Sequence, residues 1–354
     1  MTIPDFPPIA SREHTTARRL QLDVEVTRSG LVESRHRVHA AVVDAHGQLL
    51  ASAGDPALRT WWRSCAKPFQ VMALVRDGGL ESLGWSVDEL ALACASHGGE
   101  PEHVALAESM LHAIGLDESH LACGPHEPLA ERGARMLRDA GGRWTRVHNN
   151  CSGKHTAMLA RAQQLGVATA GYHVATHPVQ EEGRRMVATW AGLREESLAV
   201  GTDGCGVSVF GLPLENMALA YARLAWSVTV GDMAATRIVS AMTTRPFLVG
   251  GTERFDTVLM EACGGRVLCK IGAEGVHTLA LVERGIGIAV KVEDGAARAQ
   301  YPAVLAVLRA LDVFDDVLPP SLQPWWDRPV RNTRQEQVGV IGIPMVATQA
   351  TEPS

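Results

Sequence analysis

An α+β fold is what this sequence predicts, and three observations predict it. Segments of strand character lie near both ends, the middle reads as a succession of helices, and no repeat, low-complexity tract or clear linker divides the 354 residues. Strands at both termini around a helical middle pack most simply as one mixed sheet built from both ends. The expected layout is a single domain over residues 1–354 in two lobes. The sheet lobe covers about 20–63 and 265–345, and a helix-rich lobe covers about 64–264.

Residues 1–18 carry prolines and charges and read as a poorly structured leader. Leu20–Thr27, His36–Val43 and Leu49–Ser52 are strand-like, the last two joined by the glycine turn Ala45-His46-Gly47. His36 and His39 alternate with apolar residues, which places them on an exposed strand face. A helix is expected over Ser64–Arg76, with Pro68 in its first turn and Gly78-Gly79 ending it. A second covers 87–95 and a third runs from Pro101 to about Ala113, with Ser96-His97-Gly98-Gly99 between them. Further helices are expected at 156–165, 179–190, 214–226 and 229–243, and an ordered loop at 245–257. Strands return around Lys270–Val276, Thr278–Val282 and Ile286–Val292, then a helix at about 296–311 and a last strand at Val338–Ile343.

The bulk composition narrows the function classes. Apolar residues make up 46% and charged residues 20%, a globular balance. A formal net charge of −6 with no basic block argues against nucleic acid or an anionic membrane as partner. No apolar h-region or membrane-length apolar run is present, so a soluble, cytoplasmic protein is expected. Seven cysteines without a compact spacing read mostly as free thiols packed as small hydrophobes, leaving room for one pair used for metal or chemistry.

Chemistry concentrates in three places. Ser64-Cys65-Ala66-Lys67 sets a hydroxyl and an amine three residues apart, on one face of a helix opening there. A serine nucleophile with a lysine base needs that pairing. A free lysine, with a pKa near ~10.4, is a poor base. Burial, a helix N-terminus and a second ammonium from Lys270 or Lys154 would each push it down. His148-Asn149-Asn150-Cys151-Ser152-Gly153-Lys154-His155 compresses polar groups before an apolar run, and Gly201-Thr202-Asp203-Gly204-Cys205-Gly206 presents a carboxylate and a thiol. Ser64-x-x-Lys67, the loop serine Ser96 and Lys270-x-Gly272 follow the order of the SxxK, SDN and KTG motifs of serine β-lactamases and penicillin-binding proteins. Two departures, Ser96-His97-Gly98 for SDN and Ile271 for the hydroxyl residue of KTG, count against a penicillin substrate.

Taken together the motifs resemble a narrower family, the rhizobial-type L-asparaginases of the asparaginase II family. The segments that carry this are Arg63–Gln70, Ala95–Glu100, His148–His155, Gly201–Gly206 and Lys270–Val276, in order over roughly residues 20 to 345. The resemblance implies a fold like the serine β-lactamases, a homodimer, and hydrolysis of L-asparagine to L-aspartate and ammonia. It implies two Ser–Lys tandems, Ser64 with Lys67 and Ser96 with Lys270, Ser64 being the favoured nucleophile. It also implies one zinc ion per subunit on Cys151, Lys154 and Cys205, not necessarily essential for turnover. Cys-x-x-Lys with a distant Cys is no standard zinc spacing, so that expectation rests on the resemblance alone. Around the substrate the expected residues are Arg63, Asp203, Asn150, Gly272, Ala273 and Glu274. Arg63 or Lys270 would meet its α-carboxylate and Asp203 its α-ammonium.

Other readings stay open at this point. A β-lactamase-like serine esterase or peptidase would use the same Ser–Lys pair, and a cysteine amidase would use Cys151 with His148 or His155. A non-catalytic amide- or metal-binding sensor would keep the fold without turnover. Trp61-Trp62 and Trp325-Trp326 fit core or interface packing better than substrate stacking.

Overall fold

The computed structural model describes residues 4–9, 17–314 and 317–344; most of the leader lies outside them. Its centre is a six-stranded mixed sheet in the order Arg18–Arg19, Leu49–Ala53, Val38–Asp44, Ile286–Val292, Val276–Leu281, Val267–Ile271. The first pair is parallel and the rest antiparallel. Chain from both ends thus meets in one sheet, at the pairing of Val38–Asp44 with Ile286–Val292. Both middle strands are buried almost throughout, which explains why they are rich in Ala, Val and Ile.

The helix Leu214–Thr229 lies against the sheet so closely that a Cβ on Gly287 would fall 1.8 Å from the carbonyl oxygen of Ala218. Only glycine permits that approach. Beside this helix, Trp62, Phe69, Trp190 and the helix's own Tyr221 form a buried aromatic cluster, with Trp62 and Phe69 stacked at 5.1 Å. Trp62 is therefore core. Trp61 is exposed and covers Gly201 and Gly211 on a small three-stranded sheet of Arg59–Trp61, Ser208–Pro213 and Ala199–Thr202.

Several elements depart from expectation. The path from Ser64 to Arg76 is helical, but broken into a 3-10 turn at Arg63–Ala66 and two short helices, Lys67–Gln70 and Met72–Arg76. The stretch expected as loop at 245–257 contains the short helix Pro246–Val249 and the start of another, Phe255–Cys263. His36 and His39 are buried, not exposed. Their rings face the carboxylates of Asp294 and Glu293, at 2.7 and 3.1 Å. The leading strand segment splits into Arg18–Arg19 and Val24–Arg28, and Val24–Arg28 pairs with Leu31–His36 in a second sheet completed by Gln337–Gly342 and Arg328–Arg331. Among the described residues no helix is long and apolar enough to cross a membrane. All seven cysteines are free and buried.

Candidate active site

The helix Val87–Ala93, opened by a capping box at Ser86, delivers the chain into the loop that carries Ser96. Ser96 is 4% exposed and its N–H donates to the Val249 carbonyl at 3.0 Å. His97 fixes the next turn: Gly99 N–H donates to its Nδ1 at 3.1 Å, so Nε2 carries the proton and donates to Ser152 Oγ at 2.9 Å. Gly99 adopts φ +69°, and a Cβ there would press on the His148 carbonyl and Pro128. The glycine pair after Ser-His is thus a steric requirement of the loop.

Two lysines converge on the Ser96 hydroxyl. Lys270 Nζ, from the end of the strand Val267–Ile271, lies 2.8 Å from Ser96 Oγ and also donates to Ile271 O at 2.9 Å. Lys67 Nζ lies 3.1 Å from the same oxygen and donates to the carbonyls of Ala95 and Asn150. Both lysine side chains are fully buried. Burial, and next the charge of Lys67, bring the Lys270 amine down to about 8, so a large neutral fraction exists at mildly alkaline pH. The nearby thiols of Cys65 and Cys94 are pushed up to about 12 by burial and bring no counter-charge at neutral pH.

Ser64 is the more exposed serine, and among the described residues its hydroxyl makes no hydrogen bond. Lys67, three residues on, has turned toward Ser96 instead. Arg63 has φ +52°, an unusual angle for a side-chain-bearing residue, at the sharp entry to the Ser64 turn. Its guanidinium is held by Asp203, Nε to Oδ1 at 2.7 Å. Burial raises the Asp203 carboxyl, but Lys154 and Arg63 outweigh it and hold the group below its usual range.

Cys151, Lys154 and Cys205 also come together. Cys151 caps the buried helix Ser152–Gln164, its N–H bonded to Asn149 Oδ1 at 2.9 Å and its Sγ 3.1 Å from Asn150 Oδ1. Lys154 Nζ lies 3.1 Å from Cys205 Sγ. The two thiols act on each other: hydrogen bonding from Cys205 holds Cys151 well below the usual thiol range, and the same interaction and burial push Cys205 up. Burial works against charge on Lys154, but Cys205, Cys151 and Asp203 outweigh it and keep the ammonium above its usual range. The two thiols are ligands of the kind zinc takes, and Lys154, charged here with Asp203 acting on it, would join them only as the neutral amine.

The turn Gly272-Ala273-Glu274-Gly275 joins two strands beside these groups. Gly272 packs against Cys65 Sγ and Trp62 O, where a Cβ would sit at 3.1 and 3.2 Å. Ala273 and Glu274 are exposed, and Glu274 has φ +60°. Lys291, which no motif singles out, braces this turn by donating to the carbonyls of Glu274 at 2.7 Å and of Val292. Glu100, quoted only as part of a motif, is a fully buried carboxylate. It binds Thr252 N and Oγ1 at 2.7 and 2.6 Å and Arg132 at 2.6 Å, tying the Ser96 loop to residues 250–254. Asp256, Cys269 and His277 lie within 4.8 Å of one another behind Lys270. Gln300 Nε2 faces His277 Nδ1 at 3.4 Å, which leaves the proton on Nε2, toward Asp256; the trio is a polar contact rather than a cation site.

A sequence model of the family described as L-asparaginase II matches residues 24–343. No curated protein matches the chain. Among solved structures, one described as Mglu has 17% identity and a TM-score of 0.44, over 80% of this chain and 69% of its own. Its glutamate form has 18% identity and a TM-score of 0.45, over 80% and 63%. A Bacillus subtilis glutaminase, in covalent complex with 5-oxo-L-norleucine, has 12% identity and a TM-score of 0.36, over 78% and 89%. The chain thus spans about two thirds of the Mglu length.

Proposed function

The chain belongs to the L-asparaginase II family and is an amidohydrolase, and we propose that its reaction is the hydrolysis of L-asparagine to L-aspartate and ammonia through an acyl-enzyme. The observation that carries this reading is the Ser96 hydroxyl held between two buried lysine amines, one of them at about 8. Such a station accepts a proton near neutrality and returns it.

In this reading Ser64, the accessible hydroxyl, attacks the side-chain carboxamide carbon as Lys67 turns back toward it. Lys67 passes a proton through the Ser96 hydroxyl to the neutral Lys270 amine and takes the Ser64 proton in its place. Collapse of the tetrahedral adduct breaks the C–N bond, and the leaving amide nitrogen takes the proton and departs as ammonia. Water then attacks the Ser64 ester, giving up its proton to the same lysines; that proton goes to the Ser64 oxygen as the ester bond breaks, and aspartate leaves. The Ser64 backbone N–H is the candidate for part of the oxyanion hole. Asp203 would meet the substrate α-ammonium, and Arg63, already paired to Asp203, its α-carboxylate. Asn150 and the turn Gly272, Ala273 and Glu274 would line the rest.

Cys151, Lys154 and Cys205 would hold zinc, which supplies a fixed positive charge that orients the substrate. A β-lactamase-like packing of the α+β fold, one two-lobed unit, a homodimer and a cytoplasmic location complete the proposal. The test is ammonia release from L-asparagine and L-glutamine, and the colour change of a chromogenic β-lactam, with wild type and Ser96→Ala. Release from asparagine, lost in the variant, supports it. Turnover of the β-lactam alone, or none of the three, would refute it.

A further inference from the structure

Behind Lys270, on the side of the strand away from Ser96, lies a buried polar chain that the mechanism does not use. Asp256 opens the helix Phe255–Cys263 and is 3% exposed. Its Oδ2 accepts the backbone N–H of Ile271, the residue after Lys270, at 2.8 Å. Its Oδ1 is 2.9 Å from His277 Nε2, an electrostatic contact that lies off the ideal hydrogen-bond direction. His277 stands directly opposite Ile271 in the strand pairing, and Gln300 holds it from behind while donating to Val276 O at 2.7 Å. A charged carboxylate is thus buried in the wall that carries Lys270. A buried charge with no function is a cost that an apolar residue would avoid.

We propose that Asp256 is a positioning residue for Lys270: it fixes the strand end from which the amine reaches Ser96, and its negative charge sets how readily that amine gives up its proton. The groups facing Lys270 from each packed element support this assignment. Lys67 and Cys65 come from the Ser64 turn, Cys94 from the end of the helix Val87–Ala93, Cys151 from the start of Ser152–Gln164 and Thr278 from the neighbouring strand, while His277 and Cys269 lie with Asp256 on the opposite face of the sheet. Lys67 pushes the amine toward neutrality, while Asp256 is the strongest opposing influence and Cys151 is weaker. Asp256 itself is kept ionised: burial raises its carboxyl, but His277, Lys270 and the Ile271 N–H bring it down to about 2. The charge is therefore constant across the working pH range, and Lys270 titrates against a fixed background. Without it, burial and Lys67 would leave Lys270 neutral at lower pH, and the balance between proton acceptance and proton return would shift.

This inference rests on Lys270 acting as a proton acceptor, so the test includes a readout independent of turnover. Protein labelled with 13C at lysine Cε is titrated by NMR, with the Lys270 signal assigned by its loss in Lys270→Met, and the pH profile of kcat/KM for asparagine is taken alongside. Asp256→Asn keeps an oxygen for the Ile271 N–H and removes the charge. The expected result is a downward move of both the Lys270 titration and the acid limb of the profile, by about one pH unit. A folded Asp256→Asn protein with both unmoved would overturn the proposal, since a purely structural carboxylate would change stability alone. Should Asp256→Asn not fold, His277→Leu retains the carboxylate while removing its N–H partner. The Lys270 titration then stays or rises; a fall would overturn the proposal. If wild type releases no ammonia yet the titration moves as stated, the functional reading fails and the role of Asp256 stands.

Discussion

Two lysines of this site, Lys270 and Lys154, are buried to the same degree and come out opposite. Lys270 shares Ser96 with a second amine, and no carboxylate touches it; burial and Lys67 prevail and bring it to about 8. Lys154 faces two thiols and has Asp203 close by, and these outweigh the same burial to keep it charged. The difference teaches that burial alone does not make a lysine a base. The sign of what lies within a few ångströms decides it. One end of the site is arranged to exchange a proton, and the other to hold a fixed positive charge, supplied by the ammonium or by a metal.

The largest effect that tests this comparison is the paired substitution of the two lysines. Lys270→Met lowers kcat/KM by about 10³-fold or more while leaving the thermal midpoint unchanged or higher, because it removes a buried amine that no carboxylate contacts. Lys154→Met lowers the midpoint instead, since it strands a buried thiolate. Equal losses of activity with no difference in melting would break the distinction. A smaller effect sharpens it: Cys151→Ser, or dialysis against a chelator, raises KM by about 10-fold with kcat within about 3-fold of wild type. A collapse of kcat with KM unchanged would instead put Cys151 in the chemistry as a nucleophile.

Much of this was legible in the sequence because the chemistry sits where backbone geometry is demanding. Gly98-Gly99, Gly204 and Gly206, and Gly272 and Gly275 flag tight turns, and polar residues beside such turns are seldom placed for packing. The helix Pro101–Ala113 and the strand Ile286–Val292 have the bounds expected from their patterns. What escaped lies in partners distant along the chain. Lys67 is three residues from Ser64, and local helical spacing pairs them; the fold brings Ser96 and the Asn150 carbonyl to it from 29 and 83 residues away. Asp256 opens a helix in a stretch that looks like loop, because Pro246, Gly250 and Gly251 mask its periodicity. His36 and His39 alternate as an exposed strand face would, yet the turn at 293–294 folds over them and supplies their carboxylates. Periodicity shows which face a residue lies on, not what later covers that face.

The central claim is covalent Ser–Lys catalysis, and trapping the intermediate tests it most directly. Wild-type protein is mixed with L-asparagine, quenched in acid within the first turnover, digested and examined by mass spectrometry. The account predicts an aspartyl ester on the peptide containing Ser64, absent from Ser64→Ala and shorter-lived in wild type than in Lys270→Met. An adduct on Cys151, or steady ammonia release from Ser64→Ala with the adduct on Ser96, would contradict it.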